Sequence, residues 1–221
     1  TSFRKKSLRV LMYHSISGTS QRDDLTVDAD QLEAQFRYLR THGYSTILFS
    51  DLIAAMEGKT PLPEKAVLIT FDDGFRNNYE IAYPLARQYR IRINLFVVPA
   101  FIHKGEYNGL PCLTVEDIRM MDPDLVEIGL HSFDHRSYAD LSPFRLAADV
   151  ELSMTALNAM DIPYQPCLAY PFGAYPRRKG LDQSRLFEIL EEKGISLAFR
   201  IGNRINRFPL RNRFLVQRLD I

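Results

Sequence analysis

The sequence predicts an α/β fold built on a mainly parallel sheet. Apolar runs of strand length alternate with helix-period segments about seven times along the 221 residues. Ala66-Val67-Leu68-Ile69-Thr70-Phe71 is almost continuously apolar, as a strand covered on both faces of a parallel sheet must be. Several of these runs also end on polar or conformationally special residues: His14, Asp72 and Asp73, His131, and Phe172. In parallel α/β folds the C-terminal strand ends gather on one rim, where active sites sit. A barrel and an open doubly wound sheet both satisfy this alternation, and the length suits one domain.

Leu8–Tyr13 reads as a buried strand ending at His14. Asp28 or Asp30 caps a helix with Leu32, Phe36 and Leu39 at helical spacing, stopping near Gly43. Tyr44–Phe49 is a short strand, and Ser50 is expected to cap a helix ending at Gly58. After a linker with Pro61 and Pro63, the strand Ala66–Phe71 leads into a helix over Asn77–Tyr89 and a strand over Ile91–Val98. Pro99–Leu113 carries Gly105, Gly109 and Pro111 and reads as an irregular, substrate-facing loop. Thr114 and Asp117 have capping-box spacing ahead of a short helix to Met121. Leu125–Leu130 is a strand, Ser142–Met160 a long helix, and Cys167–Tyr170 a strand ending at Pro171-Phe172-Gly173. A helix over Asp182–Lys193 is stopped by Gly194, and strands follow at Ile195–Phe199 and Phe214–Ile221.

Hydrophobic residues make up 46% of the chain, charged residues 25%, and the net charge is +1, so there is no global nucleic-acid footprint. The C-terminal end is locally basic, with Arg200, Arg204, Arg207, Arg211, Arg213 and Arg218. A solvated face and the attraction of an acidic polymer both account for such a cluster. Cys112 and Cys167 are the two cysteines, too few for a disulfide framework and compatible with either redox compartment. No run of 18 apolar residues is present, so no transmembrane segment is expected. No signal-peptide core is visible, which suits a soluble cytoplasmic protein as the chain stands, while the initial Thr is compatible with export after removal of a leader. Nothing indicates an oligomeric state.

The chemistry-bearing residues are Thr70-Phe71-Asp72-Asp73-Gly74 and His131-Ser132-Phe133-Asp134-His135. Two adjacent carboxylates on an extended backbone point apart, so one can face a metal while the other stays free as a base. His131 and His135 can reach a common ion if the segment turns back after its strand. Two histidines and one aspartate leave open coordination positions, a catalytic rather than a structural zinc pattern, although other divalent ions accept the same donors. Asp134 and Ser132 are candidates for capping or for orienting the ligands. His14, at the end of the first strand, is a candidate general acid, since imidazole as a class titrates near neutral pH.

With these segments in view, the chain resembles the polysaccharide deacetylases of carbohydrate esterase family four, the chitooligosaccharide-deacetylase homology domain. Thr70–Gly74, His131-Ser132-x-x-His135, Tyr170-Pro171-Phe172-Gly173, Leu11–Ser15 and Val216–Asp220 carry the resemblance, which spans residues 8–221. It implies a distorted (β/α) barrel of about seven parallel strands and one catalytic domain over 1–221. Asp73, His131 and His135 would hold one divalent metal, zinc first and nickel, cobalt, iron or manganese as alternatives, with Asp72 as the base. The implied reaction removes N-acetyl groups from an N-acetylated hexosamine glycan and releases acetate. Tyr170, Pro171 and Phe172 would bind substrate, with the Phe172 N–H near the oxyanion. The chain departs from the common pattern: Ala169 stands where the family has Arg, there is no Trp, and Leu215-Val216-Gln217-Arg218 replaces a Leu-x-His acid. These departures are similar to a permuted subgroup, the poly-N-acetylglucosamine deacetylases, in which His14 would be the acid and Arg218 would orient Asp72. Another amide or ester (O-acetyl, formyl or cyclic ureide) and a non-catalytic carbohydrate-binding role are the competing readings.

Overall fold

In the structure, a computed structural model, residues 6–18, 24–177 and 181–221 are described. In chain order the N-terminal half comprises β1 (Lys6–Tyr13), β2 (Ser15–Ser17), β3 (Thr26–Asp28), α1 (Ala29–Thr41), β4 (Ser45–Ile47), α2 (Phe49–Met56), β5 (Ala66–Phe71), α3 (Tyr83–Tyr89) and β6 (Ile93–Val97). It continues with α4 (Pro99–Lys104), β7 (Glu106–Tyr107), β8 (Leu110–Pro111), α5 (Val115–Arg119), β9 (Val126–Leu130), α6 (Pro143–Ala159), β10 (Cys167–Ala169), α7 (Leu181–Glu192), β11 (Leu197–Ile201), β12 (Asn206–Phe208) and β13 (Val216–Asp220).

Seven parallel strands close a barrel in the order β1-β13-β11-β10-β9-β6-β5 and back to β1. The expected (β/α) barrel is therefore present, and the open doubly wound alternative is excluded by the β1–β5 pairing. Its distortion has a definite form. Near the start of β5, residues 66–68 pair with β4, and only further along does β5 meet β6 at Thr70↔Asn94. Near the start of β1, Lys6–Leu8 pair with antiparallel β12, and β13 joins only at Leu11↔Leu219.

Two strands thus wedge the barrel open at its N-terminal end, and an asparagine knits each split. Asn94 Nδ2 donates to the carbonyls of Ile47 and Ile69, at 3.1 Å each, and its Oδ1 accepts from Phe49 N at 2.9 Å. Asn206 Nδ2 donates to Leu8 O and Gln217 O, and its Oδ1 accepts from Gln217 N. Side-chain amides here replace the ladder bonds that the wedges displace, because buried backbone groups must be paired.

The strand alternation sorts side chains into two cores. Leu8, Val10, Ala66, Leu68, Phe96, Ala169, Phe199 and Val216 fill the barrel with Phe49 and Leu52 of α2. Phe96 packs on Phe49 and Phe199 with centroid separations of 4.8 and 5.3 Å. Gly129 makes room for it, since a Cβ there would lie 2.8 Å from the Phe96 ring. Outward-facing Val67, Ile69, Leu95, Val97, Leu130 and Leu168 form the second core with the surrounding helices. Cys112 and Cys167 are free and buried. Burial raises both thiol pKa values, that of Cys112 to about 12, which keeps them protonated at neutral pH.

Several local expectations are corrected. Ser50 does not cap α2. Leu48 is the N-cap, its own N–H accepted by Asp51 of α2, and the first helical N–H groups are satisfied from other elements: Phe49 N by Asn94 of β6 and Ser50 N by Glu127 of β9. Residues 99–113 are not irregular. Pro99 starts α4, Gly105 ends it in a left-handed conformation, and β7 and β8 form a hairpin. The helix expected over 77–89 begins as a π-turn over Asn78–Ala82 before becoming α3. By contrast, Asp28 caps α1, and the Thr114–Asp117 capping box opens α5.

Asn94→Leu should leave two carbonyls and one N–H without partners in a dry interior. At about 1–3 kcal/mol per orphaned group, the loss of unfolding free energy in urea should be at least 2 kcal/mol. A loss below ~0.5 kcal/mol would mean that the β5–β6 split does not depend on this amide.

Candidate metal centre

The strand ends deliver the side chains to one rim. The β1–β5 register pairs Tyr13 with Phe71, so the next residues, His14 and Asp72, stand side by side. Asp72 N donates to Tyr13 O at 2.8 Å and extends that ladder. His131 follows β9, and Phe172 follows β10 by three residues.

The neighbouring aspartates diverge for a reason other than the expected extended backbone. Asp73 lies in the left-handed region at φ 70°, and Gly74 follows at φ 75°. Ser132 and His135 are also left-handed, at φ 65° and 62°, which turns the histidine segment back on itself; Phe172 is left-handed at φ 60°. These four conformations each cost free energy outside glycine, and all four shape the same rim.

Asp73 Oδ1 lies 3.4 Å from His131 Nε2 and 3.1 Å from His135 Nε2. The three donor atoms fall within 4.8 Å of one another. Asp73 Oδ1 is buried and has no hydrogen-bond partner despite these close approaches. His131 Nδ1 lies 2.8 Å from the Ala169 carbonyl, which can only accept. Nδ1 therefore carries a proton, so in the neutral imidazole the Nε2 lone pair faces Asp73. A buried carboxylate oxygen without a hydrogen-bond partner, beside two imidazole Nε2 atoms, is a donor set that suits a divalent cation.

Asp72 has different company. Arg218 Nη1 donates to Asp72 Oδ1 at 2.6 Å and Nη2 to Oδ2 at 2.8 Å, a bidentate pair between two buried side chains. Thr70 Oγ1 accepts from the same Nη1 at 3.3 Å, and the guanidinium lies 5.5 Å from the centre of the Phe96 ring. His14 Nε2 and His131 Nε2 each lie 3.8 Å from Asp72 Oδ2. Burial pushes the Asp72 pKa upward, but Arg218 and the histidines outweigh it and hold the carboxyl below its usual range. Asp73 is likewise held low: His131 and His135 overcome its burial. Burial disfavours charge on His131, yet Asp72 and Asp73 raise its pKa overall.

The substrate-facing expectation divides. Phe172 is 64% exposed, with its ring centroid 4.5 Å from that of His135. Tyr170 and Pro171 are buried. The Tyr170 hydroxyl donates to Phe214 O at 2.9 Å, and its ring stacks on Tyr175 at 5.2 Å. They hold up the turn that presents Phe172.

Other neighbours carry no local signature. Tyr107 on β7 brings its hydroxyl to 3.4 Å from His135 Nδ1 and stacks on Phe101 at 4.0 Å. Asn78 in the π-turn donates to His14 O at 2.8 Å. Asp149 on α6 reaches under the histidine turn. It accepts from Ser132 Oγ at 2.9 Å, Tyr138 OH at 2.7 Å and Phe133 N at 3.3 Å. Asp134, expected to support the ligands, is instead paired with Arg136 at 2.8 Å on the surface.

A closed parallel barrel with an Asp-His-His cluster and a separately held carboxylate on its C-terminal rim defines a class, the (β/α) barrels with a candidate metal centre at the strand ends. Within that class, the polysaccharide deacetylase family model matches residues 59–186, and the chain belongs to that family. YxkH of Bacillus subtilis, which carries the polysaccharide deacetylase name, is 31% identical over 169 residues, covering 76% of this chain and 57% of its own length. The poly-beta-1,6-N-acetyl-D-glucosamine N-deacetylase of Staphylococcus aureus is 21% identical over 193 residues, covering 77% of this chain and 66% of its own length. The chain thus spans less than two thirds of these relatives. Among solved structures, the Streptococcus pyogenes deacetylase PplD, in complex with acetate, superposes with a TM-score of 0.85 at 20% identity, covering 99% of this chain and 93% of that one. IcaB from Ammonifex degensii superposes with a TM-score of 0.79 at 25% identity, covering 98% and 92%. Among the described residues no helix is long and apolar enough to cross a membrane.

Asp149→Ala removes no candidate ligand but strands three donors beneath the turn. Zinc affinity, measured by competition with a chromophoric chelator, should fall on the order of 10–100-fold. Unchanged affinity would show that the histidine turn keeps its shape without the clamp.

Proposed function

We propose that the chain is a catalytic domain that removes N-acetyl groups from an N-acetylhexosamine glycan with the help of one divalent metal held by Asp73, His131 and His135. The observation that carries this reading is the division of labour between adjacent aspartates. Asp73 faces two imidazoles, whereas Asp72 is held by a guanidinium. The family membership and the names of the relatives support the choice of acyl group and glycan. A divalent ion at this cluster would supply Lewis-acid polarisation of the acetamide carbonyl and of the attacking water.

The remaining work belongs to the chain. Asp72 is ionised, oriented and buried, and takes the proton of the attacking water. Arg218 fixes both carboxylate oxygens and keeps the proton affinity of Asp72 low at rest. His14, 3.8 Å from Asp72 Oδ2 and placed by the β1–β5 register, protonates the departing sugar nitrogen. The Phe172 ring, exposed beside His135, offers an apolar face for a sugar ring. Zinc is the ion we propose, since the N/O donor set suits it.

Asp72→Asn can still accept a hydrogen bond from Arg218, so it should fold and bind zinc. Acetate release from an N-acetylglucosamine oligomer should nevertheless fall by at least 10²-fold, the lower end of a general base's contribution. His131→Ala should lose zinc and activity together. Wild-type turnover by Asp72→Asn would sink the assignment of the base.

Arg218→Gln removes the charge that offsets the burial of Asp72, so the Asp72 pKa rises. Because Asp72 acts as the anion, the acid limb of kcat/KM should move to higher pH. Breaking the buried pair should also cost about 3–5 kcal/mol of stability. An acid limb at the wild-type position would mean that Asp72 is not the group titrating there.

A further inference from the structure

The basic C-terminal stretch resolves into three situations. Arg218 points into the barrel and pairs with Asp72. Arg213 pairs with Glu191 at 2.9 Å. Arg200, Arg204, Arg207 and Arg211 line a single groove of about 860 Å³. No aspartate or glutamate lines it, and among the described residues none of these four arginines forms an ion pair.

The groove follows from the connectivity. Between β11 and β13 the chain runs through extended β12 and forms no helix. Arg200 of β11 and Gln217 of β13 alternate with the inward-facing Phe199 and Arg218, so they project to the outside of the barrel. Arg200 is tethered, with Nη1 donating to Tyr175 OH at 2.8 Å and Nε to Ile201 O at 3.1 Å. Arg204, Arg207 and Arg211 are exposed.

Four like charges in one concavity repel one another and focus a positive potential, which an anion relieves. Guanidinium groups favour planar, bidentate recognition of phosphate or carboxylate. The walls also offer Asn212 and Gln217 amides, which suit sugar hydroxyls. The single aromatic in the lining, Phe208, is half-buried, so no platform exists for stacking nucleobases. A concave surface matches a strand rather than the plane of a bilayer.

We propose that this groove binds an anionic glycan strand, one carrying phosphate or carboxylate groups, on the outer wall of the barrel and apart from the metal-ligating cluster. The site stands on its own and does not depend on the deacetylase reading. Affinity electrophoresis of the whole chain tests it, with polygalacturonate and a glycerol-phosphate polymer as probes and neutral dextran as the reference. Both or either of the anionic polymers should retard the protein and dextran should not, with retardation weakening as salt rises. The triple variant Arg204→Ala, Arg207→Ala, Arg211→Ala should lose at least ten-fold in affinity. Charge reversal in Arg204→Glu, Arg211→Glu should abolish binding; circular dichroism would check that both variants remain folded. Absence of retardation by either anionic polymer, or unchanged retardation of the folded variants, would overturn the proposal. Tighter binding to single-stranded DNA or to phosphatidylglycerol vesicles than to the glycans would overturn the choice of occupant.

Discussion

The buried pair between Arg218 and Asp72 ties the fold to the site. Neither charge is tolerable alone inside a barrel lined by Phe96, Phe199 and Leu68. Together they satisfy each other in bidentate geometry at 2.6 and 2.8 Å. The two residues also come from strands far apart in sequence, β5 and β13. β13 takes its place only when the barrel closes against β1. The carboxylate proposed as the base is therefore oriented by the last strand, and the site is complete only when the sheet is.

The rim then separates two aspartates that sequence places next to each other. A strand alone would alternate them across the sheet. The left-handed turn at Asp73 instead sends its carboxylate towards His131 and His135 while Asp72 stays over the barrel. A similar device repeats at Ser132, His135 and Phe172. Conformational strain at four non-glycine residues is concentrated at one end of the molecule and offset by anchors beneath it: Asp149 under Ser132, the Ala169 carbonyl behind His131, and Tyr107 beside His135. None of these anchors is a candidate ligand, yet each restricts where a ligand atom can go.

Much of this was legible because it is local. Six consecutive buried residues make β5 recognisable as an interior strand, and Asp28 and the Thr114–Asp117 box mark helix starts by their own side chains. The rim position of His14, Asp72, Asp73 and His131 follows from strand ends alone. What escaped is defined by partners distant in sequence. The start of α2 is capped by Asn94 and Glu127, and β12 has no apolar run because Asn206 earns its place by bonding β1 and β13. Asp149 looks like one more polar residue on a long helix until the turn at Ser132 is seen above it. The motif names Tyr170, Pro171 and Phe172 together, but which of the three reaches solvent depends on the left-handed turn at Phe172, which leaves only that ring exposed.

At position 169, where the resembling family has Arg, this chain places a small side chain. The Ala169 side chain points into the barrel core, and its carbonyl fixes the tautomer of His131. A guanidinium reaches Asp72 instead from the neighbouring wall, through β13. An arginine can orient a buried carboxylate from any strand whose inward position lies at the right height, since what matters is the planar fork and its charge, not its place in the chain. The same alternation that turns Arg218 inward turns Gln217 outward to the arginine groove. One short strand thus carries a determinant of the proposed catalytic chemistry on one face and the wall of a separate anion-seeking surface on the other.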